Sequence, residues 1–132
     1  MGSSERSATD DIVSTIMGRW ATAFGKQDTC ALASLYSRNA FFFGSNPNLY
    51  RGNDGVAAYF DALPRWSSPS VQFSDVRTVH AAADVVNVAG IATFVVEANT
   101  EPLQVKITWV IIREGGEWKI VNHHVSSKTP LI

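Results

Sequence analysis

The chain has 132 residues, of which 45% are apolar and 11% aromatic, and its formal net charge is -1. That is the make-up of one globular domain able to bury a full core, not of a disordered segment. Lys and Arg are nowhere clustered, which excludes nucleic acid and an anionic membrane surface as expected partners. No apolar run reaches the length of a membrane span, and the polar start Met1-Gly-Ser-Ser-Glu-Arg-Ser7 does not read as a secretory signal. The single Cys30 rules out an internal disulfide, so a cytoplasmic location is expected.

Residues 1–8 read as a tail, 9–128 as one domain and 129–132 as a short C-terminal tail. Thr9-Asp10-Asp11 has the make-up of a helix start, with a capping hydroxyl and two carboxylates placed where the helix dipole favours them. Val13, Ile16, Met17, Trp20 and Phe24 then recur at helical spacing up to Gly25. Asp28-Thr29 caps a short second helix with Ala31, Leu32 and Leu35 inward, ending near Tyr36. Ala40 to Gly44 reads as a strand and Ser45-Asn-Pro-Asn48 as a turn. Asn53-Asp54 opens a third helix carrying Val56, Tyr59, Phe60 and Leu63 on one face, and Pro64 ends it.

Beyond residue 70 the pattern is strand throughout. Val71 to His80 alternates, Val85 to Glu97 and Leu103 to Arg113 are rich in β-branched residues, and Gly115-Gly116 turns into a closing strand, Gly116 to Ser127. Helices first and strands afterwards predict an α+β domain, with the helices on one face of a curved antiparallel sheet. In the closing strand, alternation puts Trp118, Ile120, Asn122, His124 and Ser126 in one row and Lys119, Val121, His123, Val125 and Ser127 in the other.

Three stretches, Leu35–Gly44, Arg51–Phe60 and Gly116–Ser127, resemble in order and spacing the nuclear transport factor 2-like superfamily. This group includes steroid isomerases, SnoaL-like polyketide cyclases and calmodulin-kinase association domains, and the likeness to the last of these is greatest in the closing strand. The resemblance spans about residues 8 to 128 and implies a cone-shaped fold of three N-terminal helices on a strongly curved sheet. Laid along the steroid-isomerase branch, the catalytic tyrosine falls on Trp20, the carboxylate base on Gly44 and the protonated acid near Val105. All three lack the chemistry of that mechanism, so the usual steroid isomerisation is not expected.

The same superposition turns Val105, Ile107, Trp109 and Ile111 into the cone, and with them the row that holds Asn122 and His124; a strand bulge would reverse that row. His124 is accordingly the expected catalytic or ligand-binding group, because an imidazole titrates near neutral pH. Asn122 is expected to orient a ligand oxygen beside it. Trp20, Phe24, Phe43, Tyr59 and Trp109 are the expected pocket wall, with Trp66 over the mouth, at a dimer contact or packed on the third helix. Adjacent strand histidines diverge and no third ligand stands at a usable spacing, so neither a metal nor another cofactor is expected.

Two readings stay open. One is a pocket for a small hydrophobic molecule, with isomerase- or cyclase-like proton transfer on a carbonyl compound as the chemistry it would perform. The other is a non-catalytic association module that docks a protein partner. The resemblance implies a homodimer through the outer sheet face in either case, and whether the protein is an enzyme is left undecided.

Overall fold

The order of apolar stripes and β-branched runs along the chain is reproduced in a computed structural model, which describes residues 7–132. The elements are α1 (Ala8–Gly25), α2 (Thr29–Ser34), β1 (Tyr36–Phe43), β2 (Leu49–Arg51), α3 (Gly52–Asp61), β3 (Ser70–Ala82), β4 (Val85–Val95), β5 (Leu103–Glu114) and β6 (Glu117–Ser127). The expected N-terminal tail lies mostly outside the described residues, but Ser7 and Ala8 already belong to the helix start.

Ser7, not Thr9, caps α1, its hydroxyl accepting the Asp10 N–H at 3.0 Å. Thr9 and Asp10 are used for tertiary contacts instead. The Thr9 hydroxyl meets His80 Nδ1 at 2.9 Å, and Asp10 Oδ1 accepts from the Thr78 hydroxyl at 2.8 Å. The first turn of α1 is thereby tied to β3, the strand on which the helix packs. Asp28 caps α2 as expected, through the Ala31 N–H. α3 begins without a side-chain cap. Asn53, expected to cap it, reaches back across the fold and donates to the carbonyls of Ala33 and Tyr36.

Six strands form one curved, unclosed sheet in the order β2-β1-β6-β5-β4-β3. Every neighbouring pair is antiparallel except β1 and β6, which run parallel. The short edge strand β2 was not evident in the sequence. β1 starts at Tyr36, four residues earlier than expected, and its register shifts between Tyr36 and Phe41.

A second irregularity decides the orientation of the closing strand. Val110 pairs with Asn122 and the next residue, Ile111, pairs with Ile120, so Val121 is an extra residue bulged out of β6. Trp118 and Ile120 face the helices as expected, but beyond the bulge the faces exchange. His123 is buried, Val125 is half-buried, and Asn122 and His124 are exposed. One inner row now crosses four strands through Phe42, His123, Trp109 and Val88, all direct partners and all buried. Trp20 on α1 sits over this row, with ring centroids 5.4 Å from Phe24, 5.9 Å from Phe60 and from Phe73, and 6.4 Å from Trp109.

Candidate functional site

Between α1, α3 and the concave side of the sheet lies a cavity of about 530 Å³. Trp20, Phe24, Phe42, Phe60, Trp66 and Phe94 supply its aromatic wall, and Leu103, Gln104, Ser126 and Ser127 stand at its exposed rim. Among the described residues no Asp, Glu, Lys or Arg lines it. The titratable groups among those residues are His123 and Tyr59.

His123 reaches this cavity because the bulge at Val121 turns it inward. Its ring stacks on Phe42 with centroids 4.0 Å apart, and its Nδ1 is 2.9 Å both from the Tyr36 hydroxyl and from Trp109 Nε1. An indole N–H can only donate, so Nδ1 must accept and the ring proton of the neutral imidazole sits on Nε2. The Tyr36 hydroxyl in turn accepts the Trp20 N–H at 2.9 Å, which leaves its own proton for Nδ1. Trp20 to Tyr36 to His123 is therefore a directed chain, joined at its end by Trp109.

The charge state follows from the same surroundings. Burial lowers the His123 pKa to about 3, with repulsion from the adjacent His124 a smaller cause in the same direction. Burial likewise pushes the Tyr36 phenol up, so it stays protonated. Among the described residues no enclosed side-chain nitrogen or oxygen lacks a partner. His123 Nε2 makes no hydrogen bond to protein, so it is a nitrogen that opens onto the cavity.

The arrangement presents an N–H donor held in place on its far side, and it presents no base. The lone pair that would make His123 a proton acceptor is occupied by two donors. A neutral imidazole of this kind can polarise a carbonyl or steady a developing negative oxygen.

The remaining expected site residues divide into three groups. Trp20, Phe24 and Tyr59 line the cavity, but the Trp20 N–H is engaged by Tyr36 and does not face it. Trp109 lies behind His123, fully buried, and acts through that ring. Phe43, Asn122 and His124 are corrections. Alternation along β1 puts Phe42 inside and Phe43 outside, and the bulge puts Asn122 and His124 on the same outer face, where the Phe43 and His124 rings are 5.4 Å apart.

Tyr36 and Phe42 were missed. Tyr36 falls at a helix–strand junction where no periodicity marks it, whereas Phe42 stands in a run of three phenylalanines whose phase only the strand start could fix. Trp66 does reach the cavity. Its loop is held by Gln27, which donates to the Pro64 carbonyl and accepts the Trp66 N–H, both at 2.9 Å.

A wider depression of about 1260 Å³ runs along the solvent side of α1 toward Glu117 and Lys119. Its rim mixes Asp11, Arg19, Lys26 and Asp28 with Lys119, and no buried polar group faces into it. No cluster of three or more His, Cys, Asp or Glu among the described residues is placed to hold a metal ion, and none of the described helices is long and apolar enough to cross a membrane.

Residues 13–130 match the family model described as a SnoaL-like domain. Among curated proteins none matches the sequence. Solved structures share the fold. A candidate calcium/calmodulin-dependent protein kinase II association domain from Xanthomonas campestris superposes with a TM-score of 0.78 at 19% identity, covering 100% of this chain and 99% of that one. A candidate scytalone dehydratase from Novosphingobium aromaticivorans gives 0.81 at 12% identity, over 91% and 84% of the two chains. A hexachlorocyclohexane dehydrochlorinase of LinA type 3 from Novosphingobium barchaimii gives 0.75 at 17%, over 92% and 88%. At these identities the likeness is one of fold.

Proposed function

The chain belongs to the SnoaL-like domain family, and from that footing we propose that its aromatic cavity binds a neutral, mainly apolar small molecule through a carbonyl oxygen placed on His123 Nε2–H. The observation that carries this reading is the hydrogen bond from Trp109 Nε1 to His123 Nδ1 at 2.9 Å, because it fixes which nitrogen offers a proton to the cavity. Size and lining agree with it: about 530 Å³ with aromatic walls and no charged residue suits an uncharged ligand. Charged ligands would be left without a counter-charge in an apolar enclosure.

Isomerase- or cyclase-like proton transfer requires a base, and here the His123 lone pair is taken while no carboxylate among the described residues lines the wall. The reading therefore favours binding and polarisation of the carbonyl over proton abstraction. The dehydrochlorinase neighbour, by its name, acts on a small apolar compound, which accords with a cavity of this size.

Titration with a fluorescent naphthyl ketone tests the proposal. Wild type is expected to bind it, His123→Leu to bind at least about tenfold more weakly, and His123→Gln to recover part of the loss, since an amide can accept on one side and donate on the other. Equal affinity for wild type and His123→Leu would remove the donor from the account.

A second reading has its own observation. Phe41 and Phe43 are 49% and 37% exposed on the outer sheet face, beside Leu49 at the β2 edge. We infer a homodimer that covers this patch. Light scattering is expected to give twice the chain mass for wild type and the chain mass for Phe41→Glu/Phe43→Glu. A monomeric wild type at high concentration refutes it.

A further inference from the structure

Among the described residues, six polar side chains besides the Trp20 and Trp66 indoles line the cavity, and only His123 and Tyr59 of the six are buried. The Tyr59 hydroxyl is a built feature of the wall. Gly44 carries no side chain because the phenol stands in that space: a Cβ there would come within 2.6 Å of the Tyr59 oxygen. Phe42, Tyr50 and Phe60 hold the ring, with centroids at 4.7, 5.3 and 5.1 Å.

The phenol oxygen accepts the Ser45 backbone N–H at 2.9 Å and lies 2.8 Å from the Ser45 hydroxyl, where either oxygen can donate. When Ser45 donates, the Tyr59 proton is free for a ligand oxygen. When Ser45 accepts, Tyr59 gives it that proton, and its remaining lone pair can take a ligand O–H. The Tyr59–Ser45 pair therefore suits a hydroxyl group, which both gives and takes, whereas His123 Nε2–H only gives. Both rings pack on Phe42 and both line the same cavity, so the two points are open to a single molecule.

We propose that the cavity selects an aromatic ketone that also carries a hydroxyl group, the ketone oxygen accepting from His123 and the hydroxyl engaging the Tyr59–Ser45 pair. This rests on the carbonyl-binding reading above and adds a second point of recognition to it. Phe24, Phe60 and Phe94 supply faces and edges for the rings of such a molecule, and the volume accommodates two of them.

Three matched probes separate the two points: chalcone, with the ketone alone; para-hydroxystilbene, with the hydroxyl alone; and a chalcone bearing a hydroxyl para to its carbonyl. Wild type is expected to bind the hydroxychalcone about tenfold more tightly than chalcone, the worth of one buried hydrogen bond. Tyr59→Phe keeps the ring and is expected to abolish that advantage without changing chalcone affinity. Ser45→Ala leaves the Tyr59 ring untouched and serves should Tyr59→Phe fail to fold. It is expected to weaken hydroxychalcone binding alone, since the ligand hydroxyl then keeps only the phenol of the Tyr59–Ser45 pair as its partner. Equal affinities of chalcone and hydroxychalcone for wild type, with chalcone still weakened by His123→Leu, would overturn the second point and leave the first standing. Binding of neither ketone would overturn both, and para-hydroxystilbene binding as tightly as hydroxychalcone would overturn the ketone point.

Discussion

Trp109 and His123 are direct partners across β5 and β6, and the indole of one donates to Nδ1 of the other at 2.9 Å. A core tryptophan thus sets the tautomer of a cavity-facing imidazole. Protonating Nδ1 would turn this contact from a hydrogen bond into a clash of donors, because an indole N–H cannot accept. The geometry and the depressed pKa agree on a ring that stays neutral.

The linkage to stability has a definite sign. The unfolded chain takes up a proton on this histidine near pH 6.5, and the folded chain does so only near pH 3. Stability from neutral His123 is whole above pH 6.5 and is lost as the pH falls toward 3, by up to about 1.4 kcal/mol per pH unit. Urea unfolding at pH 7 and pH 5 is expected to show wild type losing more stability than His123→Gln, which has no such proton to take up. Nitrogen NMR is expected to show Nε2 protonated and Nδ1 unprotonated at pH 5. A His123 that titrates near 6.5 contradicts both.

On the outer face, His124 has no route to the cavity. His124→Ala is expected to leave the affinity for the naphthyl ketone within about twofold and to change stability by less than about 0.5 kcal/mol, as for an exposed substitution. His123→Leu is expected to lose binding and to cost roughly 1–3 kcal/mol, because Trp109 and Tyr36 are left with unsatisfied buried donors. Parallel binding and unfolding measurements on the two variants distinguish the histidines, and a reversal of their effects would mean that β6 runs without its bulge.

The fold was legible because three stripes at helical spacing and four β-branched runs leave little choice of architecture. What alternation alone did not yield was the phase of β6 after Ile120. In hindsight a mark of the bulge is there: past that residue Asn122, His124 and Ser126 are all polar, while Val121 and Val125 flank His123 in the other row. Apolar character changes rows at Val121, as it must where one extra residue is inserted. Reading the polar row as a strand entering a cavity placed the imidazole correctly in the fold and incorrectly by one residue. Tyr36 was illegible for a different reason, since its role depends on contacts with Trp20 and His123 from distant parts of the chain.

Gly44 occupies the position at which the steroid-isomerase likeness would put a carboxylate base, and the Tyr59 ring fills the space that such a side chain would need. Gly44→Ala is expected to cost roughly 1–3 kcal/mol through overpacking against Tyr59. In the Gly44→Ala/Tyr59→Leu double variant the penalty for Gly44→Ala is expected to be much smaller, because the offending ring is gone. Thermal or urea unfolding of the four members of this cycle measures the coupling. Additive losses would mean that the collision is relieved elsewhere.

Gln27 governs the cover of the cavity. It sits with φ at +49° in the turn between α1 and α2, and from there its amide holds both Pro64 and Trp66, while its own carbonyl accepts from Arg65 at 3.2 Å. Trp66 is half-buried, lines the cavity and lies 6.2 Å from Phe24. Gln27→Ala keeps the backbone position but deletes both amide hydrogen bonds, at a cost of about 1 kcal/mol each where they are shielded from water. The loop then loses its link to the helix turn, and Trp66 spends more time away from Phe24. In a Trp118→Phe background, Trp66 is the one tryptophan among the described residues that is not buried, since Trp20 and Trp109 are. Acrylamide quenching is expected to rise on Gln27→Ala, and ligand dissociation to speed up more than association, because an opened cover releases a bound molecule more readily than it hinders entry. Unchanged quenching would show that Phe24 alone holds Trp66 in place.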